Sequence, residues 1–230
     1  MIPWVEIGRT TVGAPRGGDG GDTLVLARRG DEFALRLARG GELMNSRAHA
    51  SEDALATSTC TAIPRRDPHV LVGGLGMGFT LRAALDVLPK SARVTVVELA
   101  PEVVAWNRGE LGDAAGRPLE DPRVQVVVGD VAPVVARSRG AFDAIAMDVD
   151  NGPMALTAPA NKRLYGPRGL DTFREALREG GTLGVWSASD DTAFTARIER
   201  AGFDVRIERV PARPGGPKKH VLWIARRTPP

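Results

Sequence analysis

Several features that define whole classes of protein are scarce in this 230-residue sequence. It has one cysteine, Cys60, which excludes an intrachain disulfide and a metal site built from several cysteines. No apolar run approaches the roughly 18–20 residues that cross a bilayer, and the N-terminus lacks the basic and apolar regions of a signal peptide. We therefore expect a cytoplasmic protein that does not contact a membrane.

Net charge is also small, but the two signs are unevenly distributed. Lys and Arg number 31 against 28 Asp and Glu, for a net charge of +3. Residues 197–230 carry nine basic and three acidic side chains, so the rest of the chain is mildly acidic. Because this basic segment lacks interleaved exposed aromatics and a nucleic-acid motif, we expect no nucleic-acid partner. The alternative is that Arg213, Lys218 and Lys219 contact phosphates.

The first 61 residues predict a small antiparallel β unit. Three stretches there have strand-like alternation and are separated by glycine-containing turns. They are Thr23–Ala27, Glu32–Leu37 and Glu42–Asn45. With 43% apolar and 26% charged residues, the whole chain has the composition of a folded globular protein.

Residues 62–230 predict a larger unit in which strands and helices alternate. Its strands are almost continuously apolar, which favours a parallel sheet covered by helices on both faces. The last two strands have no helix between them, so we expect them to close the sheet as an antiparallel hairpin. The predicted strands are His69–Gly73, Arg93–Glu98, Val124–Val128, Phe142–Asp148, Thr182–Ser187, Phe203–Val210 and His220–Ala225.

A glycine-rich turn between the first strand and its helix is the strongest local signal. Such a turn lets a ligand approach backbone amides at a helix N-terminus. Phe79 occupies the position of the P-loop lysine, which argues against a nucleoside triphosphate site. It also replaces the third glycine of the dinucleotide fingerprint. The spacing Gly74-x-Gly76-x-Gly78 fits the turn that binds S-adenosylmethionine, and a tight strand-to-helix connection is the alternative.

Acidic residues follow the strands at one edge of the predicted sheet. Glu98 ends the second strand, Asp130 follows the third, and Asp148 and Asp150 follow the fourth. Since the carboxyl ends of parallel strands meet at one edge, these side chains should converge, and Glu98 is placed to accept ribose hydroxyls. Asp130 and Asp150 are equally suited to capping a helix or a loop.

These motifs together resemble the spermidine synthase-like aminopropyltransferases. The resemblance covers nearly the whole chain at the level of motifs. It implies a Rossmann-like, class I S-adenosylmethionine-dependent methyltransferase fold behind a small β unit, a role in polyamine biosynthesis, and a homodimer. The segments that carry it are Glu42–Glu52, Val70–Arg82, Val94–Glu98, Pro101–Val104, Asp121–Asp130, Phe142–Asp148, Leu164–Gly166 and Arg178–Gly181. The cofactor-binding residues that it implies are Gly74, Gly76, Met77, Gly78, Glu98 and Asp130.

Two positions depart from the family pattern. Met77 stands where the family's turn carries an aspartate that holds the amine of the decarboxylated cofactor, and a thioether cannot pair with an ammonium group. The acidic loop spaces Asp148 and Asp150 two apart, whereas the family spaces its carboxylates as D-x-x-D. Both departures bear on how an amine is recognised.

The candidate catalytic residues are Asp148, Asp150 and Tyr165. Asp148 is expected to orient an amine acceptor and accept its proton. Asp150 either holds a second ammonium group or caps the loop, and the only tyrosine, Tyr165, either bonds the acceptor or packs in the core. We expect no metal site, because His49, His69 and His220 lack ligand spacing. The segment around His49 either closes over a ligand or packs the two units together.

The sequence therefore predicts a transferase. Its cofactor would be S-adenosylmethionine or the decarboxylated form, and it would transfer an aminopropyl group to a small amine and leave methylthioadenosine. A methyltransferase of the same fold, which would leave S-adenosylhomocysteine, is the alternative that Met77 favours. A non-catalytic relative that binds a nucleoside or a protein partner is a further alternative.

Overall fold

A small antiparallel sheet forms the N-terminal part of the computed structural model, which describes residues 2–12, 22–149 and 163–229. Its strands pair in chain order. They are β1 (Val5–Val12), β2 (Asp22–Arg29), β3 (Glu32–Leu37) and β4 (Glu42–Asn45). The separate N-terminal β sheet is thereby confirmed. β1 is not among the predicted strands, because its Val5 and Ile7 side chains are exposed and mark no core face.

Seven strands form the larger sheet in the order β10-β11-β9-β8-β5-β6-β7. Strands β5 to β9 are parallel, and β11 lies antiparallel between β9 and β10. This confirms the mostly parallel sheet with a closing hairpin. The strands are β5 (His69–Gly73), β6 (Arg93–Glu98), β7 (Val124–Val128), β8 (Phe142–Met147), β9 (Leu177–Ser187), β10 (Phe203–Pro211) and β11 (Lys219–Arg227).

Six α-helices in the described residues pack around this sheet, and none of them has the length and apolar character needed to span a membrane. They are α1 (Ala50–Cys60), α2 (Phe79–Val87), α3 (Pro101–Arg108), α4 (Val131–Ala136), α5 (Pro167–Ala176) and α6 (Thr192–Arg200). Short 3-10 helices, Glu110–Ala115 and Pro118–Glu120, follow α3.

Helix α1, which packs against the larger sheet, is not predicted from the sequence. It contacts α2, β8 and β9. Its buried face includes Ser51, Glu52 and Thr59, so the sequence shows no clear apolar stripe. The approach to β9 is close, since a Cβ at Gly184 would clash with Thr59 Oγ1. This helix therefore places polar side chains in the protein interior.

The two sheets share one apolar core. Leu26 and Leu35 of the small sheet belong to the same buried cluster as Val72 of β5 and Leu81 of α2. A second cluster on the other side of the larger sheet contains Phe194 of α6. The ring of Phe194 meets Tyr165 and Trp223 edge to face, at centroid distances of 5.6 and 4.9 Å.

Phe194→Ala should lower the free energy of unfolding by about 3–5 kcal/mol, because the fully buried ring leaves a cavity that its aromatic neighbours cannot fill. Urea unfolding followed by circular dichroism measures the change. Val87→Ala, at a position 39% exposed, is the matched control and should cost well under about 1 kcal/mol. Equal losses in the two variants would contradict the assignment of Phe194 to the core.

Candidate active site

The glycine turn after β5 packs directly against the end of β8. Gly74 has a φ of +90°, and a Cβ there would clash with the Asp148 carbonyl oxygen. Gly76 has a φ of +52°, and a Cβ there would lie 2.9 Å from Met44 Cε. Only glycine adopts a positive φ readily and also leaves room for such close neighbours at these two positions. Gly78 then precedes the first residue of α2, so the turn presents its backbone at a helix N-terminus as predicted for a ligand-binding turn.

Glu98 joins the end of β6 to this turn. Its Oε2 accepts the backbone N–H of Leu75 at 2.9 Å, and its Oε1 accepts that of Ala100 at 2.9 Å. Burial raises the pKa of Glu98, and the backbone donors partly oppose that shift. The carboxylate is thus fixed in orientation beside the turn and keeps lone pairs that can accept hydroxyl groups.

Asp148 lies on the other side of the turn, after β8. Its Oδ2 accepts a 2.5 Å hydrogen bond from Thr80 Oγ1, which fixes the carboxylate, and among the described residues Oδ1 has no such partner. The pKa of Asp148 is raised to about 6 by burial and by repulsion from Glu98, although the Thr80 bond acts in the opposite direction. A carboxyl group with this pKa is ionised at neutral pH and is a stronger base than an ordinary aspartate.

The other predicted site residues occupy different settings. Asp130 caps α4, its Oδ1 accepting the Ala132 N–H at 2.9 Å. Met77 is 1% exposed within the apolar core, so any ligand contact from it would come from its backbone. Tyr165 is buried against Phe194. Asp150 lies outside the described residues. The ligand contacts expected of these four residues stay predictions.

Helix α1 brings a second carboxylate toward Asp148, one to which sequence analysis assigns no role. Glu52 is 6% exposed, and its pKa is raised to about 8 by burial and by repulsion from Asp148. The two carboxylates therefore titrate as an interacting pair. In the sequence, only its position marks Glu52 as a candidate, because it ends the segment that resembles the end of the family's β domain.

Ser51 connects Glu52 to the closing hairpin through three short contacts. Its Oγ lies 2.5 Å from Glu52 Oε2, 2.8 Å from His220 Nδ1 and 3.0 Å from Trp186 Nε1. All four residues are at most 6% exposed. This network comes from α1, β9 and β11, so residues 169 positions apart in the chain meet at one hydroxyl.

A cleft of about 480 Å³ lies beside the glycine turn, with Met44 in its wall as well as against Gly76. Glu52, Trp186 and His220 line it too. Met44 is therefore common to the cleft and the turn, and Glu52, whose pKa is raised in part by Asp148, belongs to the cleft lining.

The three histidines are held by separate partners. His49 Nδ1 lies 2.7 Å from Asp53 Oδ2, and its ring stacks on Phe79 at 4.1 Å. His69 Nε2 lies 3.0 Å from Thr95 Oγ1, and His220 is bonded to Ser51. Among the residues that the structure describes, no group of three His, Cys, Asp or Glu side chains could hold a metal ion.

One known protein family matches most of this chain. Residues 49–195 match the model of the spermine/spermidine synthase domain, which is more than half of the chain. The chain belongs to the spermine/spermidine synthase family. The matched segment begins at the start of α1 and includes the glycine turn, Glu98 and Asp148.

Curated members of the spermine/spermidine synthase family are longer than this chain. A polyamine aminopropyltransferase of Mycobacterium tuberculosis (strain CDC 1551 / Oshkosh) is 30% identical over 194 residues, and the match covers 79% of this chain and 35% of that protein. One from Korarchaeum cryptofilum is 27% identical over 133 residues, 57% of this chain and 38% of that protein. The chain thus spans about a third of the length of these relatives.

Solved spermidine synthases have the same fold. The enzyme from Thermotoga maritima superposes with a TM-score of 0.71 at 20% sequence identity, over 92% of this chain and 71% of that one. A spermidine synthase in complex with the transition state analogue AdoDATO superposes with a TM-score of 0.69 at 19% identity and the same coverage. These matches confirm the predicted Rossmann-like fold of the class I methyltransferase type.

Glu52→Gln should make this family member more stable at alkaline pH. Because the folded chain holds a proton on Glu52 up to about pH 8 while the unfolded chain releases it near 4.5, stability falls as pH rises between these values. Removing the titration should raise the free energy of unfolding by about 2–4 kcal/mol near pH 9 and much less near pH 5.

Urea unfolding across this pH range measures the effect of Glu52→Gln. Glu102→Gln, on an exposed position of α3, is the matched control and should leave the pH dependence unchanged. If the free energy of unfolding of the wild-type chain does not fall relative to that of Glu52→Gln between pH 5 and pH 9, then Glu52 has an ordinary pKa.

Proposed function

We propose that this chain is a transferase that binds decarboxylated S-adenosylmethionine and transfers its aminopropyl group to a small amine. The observation that carries the proposal is the Asp148 carboxylate, fixed by Thr80 and held beside the glycine turn with a raised pKa. Family membership supports it, as do the names of the relatives, which are polyamine aminopropyltransferases. A spermidine synthase of the same fold was solved with a transition state analogue.

The described residues fit an adenosine group at the sheet edge. The Gly74 and Gly76 backbone leaves no room for side chains, and Glu98 offers oriented carboxylate oxygens for ribose hydroxyls. Leu99 and Val128 are apolar yet 51% and 52% exposed, at the ends of β6 and β7. Exposed apolar side chains at the carboxyl ends of parallel strands suit an adenine ring. When bound, the sulfonium supplies an electrophilic carbon with a neutral thioether as leaving group.

The protein's part in the reaction is to align the amine and to remove its proton. An amine is protonated in neutral solution and attacks only when its nitrogen has a free lone pair. Asp148 Oδ1 is the group proposed to accept that proton, because Oδ2 is already bonded to Thr80. Glu52, protonated at neutral pH by the shift described above, does not compete for it.

Asp148→Asn should lower the turnover number by roughly 10²–10⁴-fold, since an amide keeps the hydrogen bond to Thr80 but cannot accept the proton. Affinity for methylthioadenosine should change little. The assay measures methylthioadenosine release from decarboxylated S-adenosylmethionine with putrescine and other linear amines. Asp171→Asn, on an exposed position of α5, is the control and should keep full activity. Full turnover by Asp148→Asn would remove Asp148 from the mechanism.

Titration calorimetry should separate this proposal from its alternatives. Aminopropyl transfer predicts tighter binding of decarboxylated S-adenosylmethionine and methylthioadenosine. Methyl transfer, which the buried Met77 in place of an acidic side chain favours, predicts tighter binding of S-adenosylmethionine and S-adenosylhomocysteine. A nucleoside binder without catalysis would bind one of the four and turn none over. If none of the four binds, both transferase hypotheses fail.

A further inference from the structure

The glycine turn contains a β-turn whose second residue is the accessible one. The Gly78 N–H donates to the Leu75 carbonyl oxygen at 2.8 Å, which closes the β-turn around Gly76 and Met77. The φ of Gly76 is +52° and that of Met77 is not positive, as in a type II′ turn. Gly76 is partly exposed, whereas the other three residues of this β-turn are buried. A ligand that approaches the β-turn therefore meets Gly76.

The hydrogen bond of a β-turn does not fix its central peptide. That bond joins the first and fourth residues, and the peptide between the second and third can change orientation without breaking it. In this chain the central peptide joins Gly76 to Met77. Because glycine adopts positive and negative φ about equally readily, Gly76 permits more than one turn type. A group outside the turn must hold the peptide if the exposed backbone is to keep one shape.

Asn107 of α3 holds this central peptide. Its Nδ2 donates to the Gly76 carbonyl oxygen at 2.9 Å and to the Val103 carbonyl oxygen of its own helix at 2.9 Å. A side-chain amide nitrogen has two protons, so both are used, and the bond to Val103 fixes the direction of the side chain. Since a peptide is planar, a fixed Gly76 carbonyl also fixes the N–H of Met77. One side chain thus sets the orientation of the ligand-facing peptide.

Asn107 is closely enclosed by its neighbours. It is 1% exposed. A Cβ at Gly78 would lie 3.1 Å from Asn107 Oδ1 and 3.0 Å from Pro118 Cγ. A Cβ at Gly112 would clash with the carbonyl oxygen of Asn107. Two glycines therefore leave room for Asn107, and this close packing restricts its side chain to the orientation that reaches the turn.

Packing alone does not account for an asparagine at this position. Its Oδ1 is buried and has no hydrogen-bond donor among the residues that the structure describes. A buried polar atom without a partner lowers stability relative to an apolar side chain of the same shape. Of the two bonds that Nδ2 makes, the one to Gly76 joins α3 to the ligand-binding turn. The turn therefore explains the residue type better than the core does.

We propose that Asn107 is a positioning residue of the ligand site, which holds the peptide between Gly76 and Met77 in the orientation that the adenosine group of the ligand contacts. The inference rests on the proposed function, because that function places an adenosine group at the turn. Asn107 acts through Gly76 and does not itself touch the ligand. The ligand then binds a turn that already has its final shape, so less binding free energy is lost in ordering the backbone.

The test removes the hydrogen-bond donor in two ways that differ in side-chain volume. Asn107→Ala leaves a small cavity and Asn107→Leu fills it, and neither side chain can donate to Gly76. Titration calorimetry with methylthioadenosine should show an affinity at least about tenfold lower in both variants, because binding must then order the turn. The urea concentration at half-unfolding should differ between the two variants, since it depends on packing. A common loss of affinity despite different stabilities is the result expected of a positioning residue.

Thr95→Ala is the matched control. Thr95 is also buried, at 7% exposure, and its Oγ1 lies 3.0 Å from His69 Nε2. This variant loses a buried hydrogen bond without altering the turn, so its stability should fall while its affinity for methylthioadenosine stays within about twofold of wild type. Wild-type affinity in a folded Asn107 variant would overturn the inference. An equal loss of affinity in Thr95→Ala would also overturn it, because affinity would then follow stability.

Nuclear magnetic resonance of ¹⁵N-labelled protein reports on the peptide itself. In the ligand-free wild-type chain, the Met77 amide should show no exchange on the microsecond-to-millisecond timescale, because Asn107 holds its peptide in one orientation. In Asn107→Ala the same amide should show relaxation dispersion, and saturating methylthioadenosine should suppress it. Dispersion at Met77 in the ligand-free wild-type chain would overturn the inference even if neither variant folded.

The results separate this inference from the proposed function. Binding of methylthioadenosine that depends on Asn107, with no transfer from decarboxylated S-adenosylmethionine to an amine, would support the positioning role and overturn aminopropyl transfer. Transfer by the wild-type chain together with unchanged affinity in both Asn107 variants would do the reverse. If the wild-type chain binds none of the four adenosine compounds named above, the inference and the proposed function both fail.

Discussion

The contact between the glycine turn and the end of β8 is the constraint on which the rest of the site depends. The Asp148 N–H donates to Gly73 O at 2.8 Å, and the absence of a side chain on Gly74 lets the Asp148 carbonyl approach. On the opposite side, the Leu75 N–H is bound by Glu98. One short turn therefore fixes two carboxylates from neighbouring strands, and a side chain at Gly74 would separate the ligand-binding edge from the proposed base.

A second constraint is electrostatic, because α1 carries Glu52 into a site that already contains Asp148. Burial and repulsion from Asp148 raise the pKa of Glu52, and burial and repulsion from Glu98 raise that of Asp148, so the three carboxylates are not all ionised at neutral pH. This electrostatic repulsion destabilises the folded state, and the packing of α1 against α2 and the sheet offsets it. At neutral pH Glu52 is then protonated and hydrogen-bonded to Ser51, whereas Asp148 is ionised, as its proposed role of proton acceptor requires.

The parts of this structure that sequence analysis predicts are those that leave a local pattern. Continuous apolar strands, the glycine spacing and the acids after strands locate the sheet, the turn, Glu98 and Asp148. Helix α1 has no such pattern, since its buried face is small and polar. The meeting of Ser51 with His220 depends on tertiary packing across 169 positions, which no local spacing reports. The settings of Met77 and Tyr165, both in the core, are likewise set by neighbours distant in the sequence.

The uneven charge of the sequence acquires a spatial meaning in the cleft. Glu42 of β4 and Glu52 of α1 belong to its lining, and the loop before β11 adds the cations Arg213 and Lys218. The basic excess of the C-terminal segment is therefore carried in part by a loop that lines the same cleft as carboxylates from the N-terminal part of the chain, a proximity that charge counts along the sequence do not show.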